Sequence, residues 1–128
     1  MFDKLFGGAE FIGSTRALDA YALRHQAISN NLANVNTPGY KRQVVNFEEQ
    51  LAGALSSNQK GSPGAMAAIA RLKPSISTVS GTSERGDGNN VNVEIEQSAI
   101  AVNEIQFATM AQQVGGYFKG LESVINAK

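Results

Sequence analysis

Two stretches of this chain, one near each end, carry apolar residues at alternating steps of three and four, with a polar middle between them. That spacing keeps side chains on one face of an α-helix, so each stretch specifies an amphipathic helix and not a strand. The first runs from about Ala9 to Asn36. Its stripe is Phe11, Ser14, Leu18, Tyr21, His25, Ile28, Leu32 and Val35, mostly apolar or aromatic. The second runs from about Val91 to Asn126, and its stripe is Val93, Gln97, Ile100, Glu104, Phe107, Ala111, Val114, Phe118, Leu121 and Ile125. Both have the period of a heptad seam. At the helical rise they would span roughly 40 and 50 Å.

The first helix has a marked stop. Thr37-Pro38-Gly39-Tyr40 places Pro second and Gly third in a four-residue turn, the arrangement of type II. Thr37, before Pro, is pushed toward extended backbone. The second helix has a start signal: Asn90 or Asn92 can cap it, and Glu94 and Glu96 suit its positive end. Between them, Gln43–Phe47 reads as a short extended piece and Phe47–Leu55 as one or two helical turns. Ser56–Ala65 and Ser75–Asn90 are rich in Ser, Gly, Thr and Asn and read as mobile loop, with room for a short strand near Ile76–Val79. The expected fold class is therefore mainly α: a coiled-coil hairpin of the two terminal helices (1–40 and 91–128) with a loop-rich middle (41–90).

Two helices sharing one seam have little interior, and a thin core calls for staples or association. The sequence has no Cys and a single His, so no disulfide is available and a transition-metal site is not expected. We therefore expect helices that are marginal alone and become stable on assembly. Acidic and basic residues balance at 11 each, and Lys41-Arg42 is the sole adjacent basic pair, so the electrostatic footprint of a nucleic-acid binder is missing. No apolar run approaches a membrane span. The first eight residues, Met1 to Gly8, do not read as a cleavable secretory signal.

Candidate sites are few. His25 lies on the first stripe without an acid and nucleophile to work with, and reads as a partly buried seam residue. Gly86-Asp87-Gly88-Asn89-Asn90 lacks the closing Glu of a calcium loop and reads as turn and helix lead-in. Gly116 and Gly120, one turn apart and flanked by Tyr117, Phe118 and Leu121, would let another helix approach closely. Gln97 and Glu104 interrupt the stripe, either to set register or to face solvent. No phosphate loop, carboxylate pair or nucleophile–base set is present, so the chain is not expected to be an enzyme, to carry a cofactor or to act on a small-molecule substrate. The residues expected to form an assembly seam are Phe11, Leu18, Tyr21, Ile28, Leu32, Val35, Ile100, Phe107, Val114, Phe118, Leu121 and Ile125.

The run Ile28-Ser29-Asn30-Asn31-Leu32-Ala33-Asn34-Val35-Asn36-Thr37-Pro38-Gly39-Tyr40-Lys41-Arg42 closely resembles the N-terminal signature of bacterial flagellar rod and hook proteins. The residues that carry it are Asn30, Asn31, Asn34, Asn36, Thr37, Pro38, Gly39 and Tyr40. The lead-in Gly88-Asn89-Asn90-Val91-Asn92-Val93-Glu94 and the short chain look like the proximal-rod type within that family. The resemblance covers both terminal helices; residues 56–90 match nothing recognisable.

That resemblance implies a structural subunit of the basal-body rod, a hollow axial shaft that transmits motor torque. It implies that the terminal helices form a coiled-coil domain lining the channel. The implied partners are own copies, other rod subunits, a ring or adaptor protein at the rod base, and the flagellar type III export apparatus. The implied location is the periplasmic rod, reached by an export route that reads an uncleaved N-terminal region. An export motif of Phe followed three residues later by an apolar residue is implied as well. Phe47 to Leu51 fits it, and so does Phe2 to Phe6. The alternative reading is a cytoplasmic coiled-coil adaptor or export chaperone.

Overall fold

A computed structural model describes residues 8–56, 63–81 and 85–126. Helix α1 (Ala9–Ala33) leads to strand β1 (Gln43–Val45), helices α2 (Glu48–Ser56) and α3 (Pro63–Arg71), strand β2 (Ile76–Thr78) and helix α4 (Val93–Asn126). α1 and α4 pack side by side as an antiparallel hairpin: Asn31 meets Glu96 near one end, and Phe11 meets Tyr117 near the other. β1 and β2 pair antiparallel, with Gln43 opposite Thr78 and Val45 opposite Ile76. The mainly helical hairpin expected from periodicity is the observed architecture.

Each terminus of the long helices has a local cause. α1 ends at Ala33 because Asn34 turns its amide back onto the Asn30 carbonyl, 2.8 Å away, and Thr37 cannot stay helical before Pro38. α4 starts where Asn92 Oδ1 accepts from the backbone N–H groups of Glu94 and Ile95, at 2.9 and 3.2 Å, an N-cap.

The middle is more ordered than its composition suggests. β1, α2 and β2 fall where short elements were expected. α3 was not expected, and it packs on α1. Its Ala65 and Ile69 are buried, and Arg16 of α1 donates to the Ala70 carbonyl at its C-terminal end, 2.8 Å away. Partners on α1 thus stabilise a helix too short to hold alone. The small core sits between α1 and this returning middle: Ala17, Ala20, Tyr21 and Phe47, with Leu51, Leu72 and Met110 packed around them.

Candidate assembly interface

On α1 the side chains turned into the fold are Ser14, Ala17, Ala20, Tyr21, Ala27, Ile28 and Asn31. On α4 they are Glu96, Asn103 and Leu121. The face of α4 that meets α1 is therefore rotated from the apolar stripe by a little over half the angle between successive residues. It carries the polar Glu96 and Asn103 together with Leu121. Asn103 donates to the Tyr21 carbonyl at 3.0 Å, and Tyr117 meets Glu10 at 3.1 Å.

The stripe read from the sequence divides accordingly. Tyr21, Ile28 and Leu121 are buried within the chain; Phe11, Leu18, Leu32, Val35, Ile100 and Val114 are half-buried. Phe107, Phe118 and Ile125 are 41, 52 and 67% exposed. Phe11 joins the two groups, with edge-to-face contacts to Tyr117 and Phe118 at 5.6 and 5.9 Å. Ile95, Val102 and Val124, which the stripe did not include, are exposed on the other flank of α4. Two flanks of apolar side chains thus border the α1 contact.

Several details differ from expectation. His25 is exposed, not partly buried. It stands at the rim of a cleft of about 380 Å³ formed with Tyr21, Ala22, Asn103, Glu104 and Phe107. Among the described residues, no atom of another element lies within 4 Å of a Cβ built on Gly116 or Gly120, so these glycines make no close helix contact there. Gln97 and Glu104 face solvent. Phe47 lies in the core and Leu51 packs against it, while Phe2 to Phe6 lies outside the described residues.

The Asn-rich signature has a structural role residue by residue. Tyr40 N–H donates to the Thr37 carbonyl at 3.2 Å, and Gly39 has φ +74°, so 37–40 is the type II turn that Pro38 and Gly39 encode. The turn docks on the loop before α4: Gly39 N–H donates to the Asp87 carbonyl at 2.9 Å, and Gly88, at φ +79°, lies against it. The fully buried Asn89 amide donates to the carbonyls of Asn34, Val35 and Thr37, at 2.9 to 3.1 Å, and so satisfies the end of α1. Asn31 treats β1 as a neighbouring strand would: its Oδ1 accepts from Gln43 N–H and its Nδ2 donates to the Gln43 carbonyl, both at 2.8 Å. Asn90 does the same across 42 and 79, accepting from Arg42 N–H at 2.6 Å and donating to the Val79 carbonyl at 2.9 Å.

Behind the turn, Asn31 Nδ2 also donates to Glu96, 3.0 Å away, and Arg42 Nε pairs with the other Glu96 oxygen. Tyr40 hydroxyl donates to Asn31 at 3.3 Å; burial, and then the nearby Glu96 charge, hold the phenol above its ordinary pKa. Periodicity could not reveal Asn89 or Glu96, because both serve the loop and not a helical stripe.

Arg24 ties the elements together farther along. It makes a bidentate pair with Glu48 at 2.7 and 2.6 Å, donates to the Val45 carbonyl at 3.2 Å, and lies over the Tyr21 ring. Burial works to raise the Glu48 pKa, but the Arg24 hydrogen bonds, backbone N–H groups and the Arg24 charge outweigh it. The carboxyl ends below its ordinary value. Among the described residues no group of three acidic or His side chains could hold a metal ion, and no helix is long and apolar enough to cross a membrane.

The sequence model of the family described as flagella basal body rod protein matches residues 14–41, the stretch that forms most of α1 and the signature turn. Three proteins called flagellar basal body rod protein FlgB are similar along nearly the whole chain. That of Borreliella burgdorferi is 28% identical, covering 88% of this chain and 92% of its own. That of Yersinia enterocolitica is 26% identical and covers 98% of both. That of Bacillus subtilis is 29% identical, covering 85% of this chain and 87% of its own. Along most of its length the chain is similar to the FlgB-type flagellar basal-body rod proteins. The signature turn is thus a clasp that closes the hairpin.

Proposed function

We propose that this structural rod subunit assembles by burying the exposed α4 flanks, with Phe107, Phe118 and Ile125 on one of them, against other rod subunits and its own copies. The observation that supports this is the mismatch between pattern and packing. A heptad-spaced apolar stripe runs along α4, and α1 packs beside it, on the polar face. Apolar surface left open at regular helical spacing costs free energy in water, and a neighbouring helix that covers it removes that cost.

The same reading extends to place and route. The subunit sits in the proximal, periplasmic part of the rod, next to a ring or adaptor protein at the base. It arrives through the flagellar type III apparatus as a chain not yet fully folded. Phe47 and Leu51 belong to the small core, so a receptor that reads them meets them before folding. The chain is read as a structural part and not an enzyme.

Deleting the gene and fractionating the cells tests the assignment. Swimming is lost, and the wild-type protein is found in purified basal bodies. Normal swimming with the protein left in the cytosol would overturn it. Deleting residues 47–51 lowers secretion without lowering the intracellular level; unchanged export would remove that segment from the route.

A further inference from the structure

We infer that the Asn31–Glu96–Arg42 network is a register key for the α1–α4 hairpin. Part of the contact between these helices selects register weakly. α1 presents Ala17, Ala20 and Ala27, and an alanine packs much the same one turn up or down. The Asn103 bond goes to a backbone carbonyl of α1, a kind of acceptor that recurs at each turn. Glu96 differs. Its side chain is fully buried, and its two oxygens have partners fixed elsewhere in the chain.

Asn31 cannot follow a sliding helix, because both ends of its amide hold the backbone of Gln43. Arg42 cannot either, because its carbonyl is held from the β2 side by Val79 N–H at 2.8 Å. A one-turn slip of α4 would leave a buried carboxylate unpaired, the costliest outcome available to this interface. A single buried polar group can fix helix register in this way. The consequence is that the exposed flanks of α4 stand at a defined height relative to α1 and its turn, as a repeating assembly demands of each copy.

The test uses the full chain, which has no native cysteine. Spin labels go on Ser29→Cys in α1 and Ala101→Cys in α4, both exposed positions. Distances are read in the parent and in the Arg42→Leu/Glu96→Leu variant, which replaces the ion pair by apolar groups and leaves the Asn31–Gln43 bonds intact. Circular dichroism is recorded for both. The parent gives one narrow distance distribution. The variant keeps its helicity and gains a second population displaced by about 5 Å, one helical turn. A variant with the parent's single distance would overturn the inference, as would a broad distribution in the parent. Loss of helicity in the variant would also overturn it, because the network would then be a general stability element and not a register key.

Discussion

Asn89 shows how much one side chain can carry. Its amide satisfies carbonyls from three residues at the end of α1, and its Oδ1 accepts from Val91 N–H at 2.8 Å. Asn89→Ala removes every one of these side-chain bonds from a fully buried position and should destabilise the fold by about 1–3 kcal/mol, measured by urea unfolding. Gly39 is a second such residue. Its φ of +74° is strained for any side chain even though a Cβ there meets open space. Gly39→Ala should cost about 1–2 kcal/mol from backbone strain alone, whereas no loss would mean the turn relaxes freely. Glu48 gives a pH signature. Its folded pKa lies below the unfolded value, so its contribution is present above the ordinary carboxylate range and lost as pH falls through the lowered folded value. The stability difference between the parent and Glu48→Gln should therefore shrink on acidification below that range; a difference that grows there would contradict the Arg24 pairing.

At the scale of elements, both long helices were legible because a three-four period survives over many turns in Phe11–Val35 and Val93–Ile125. The turn at Thr37–Tyr40 was legible because Pro and Gly each have one backbone reason to be there. What periodicity could not say is which face α1 would take. The α4 stripe is apolar, yet the contact is made by Glu96, Asn103 and Tyr117, whose choice depends on where the 85–92 loop docks. α3 was missed although Ala65, Met66, Ala67, Ala68, Ala70 and Arg71 are good helix formers; so short a helix holds because α1 covers Ala65 and Ile69. Gly116 and Gly120 provide an element-level prediction. With open space around both, Gly116→Ala/Gly120→Ala should raise the stability of the isolated protein, by up to roughly 1 kcal/mol per site. If the same variant cannot support swimming, a neighbouring helix approaches α4 there; normal swimming would assign these glycines no role in assembly.

At the scale of the molecule, the fold separates two tasks. A clasp of buried polar groups closes the hairpin, and apolar flanks of α4 stay open on either side of it. In the proposed mode of assembly, stability within the chain and association between chains draw on different residues, so the second can be removed with little effect on the first. Phe107→Asp should leave the helicity of the isolated protein near that of the parent while abolishing incorporation into basal bodies. The most direct measurement of this account is the reactivity of a thiol placed at the open flank. A Phe107→Cys protein is treated with a maleimide reagent as the isolated chain and again within purified basal bodies, and the labelled fraction of this chain is compared. The account predicts rapid labelling of the isolated chain and strong protection in the basal body. Equal labelling in the two states would mean that this flank of α4 remains open in the rod and that assembly uses another surface.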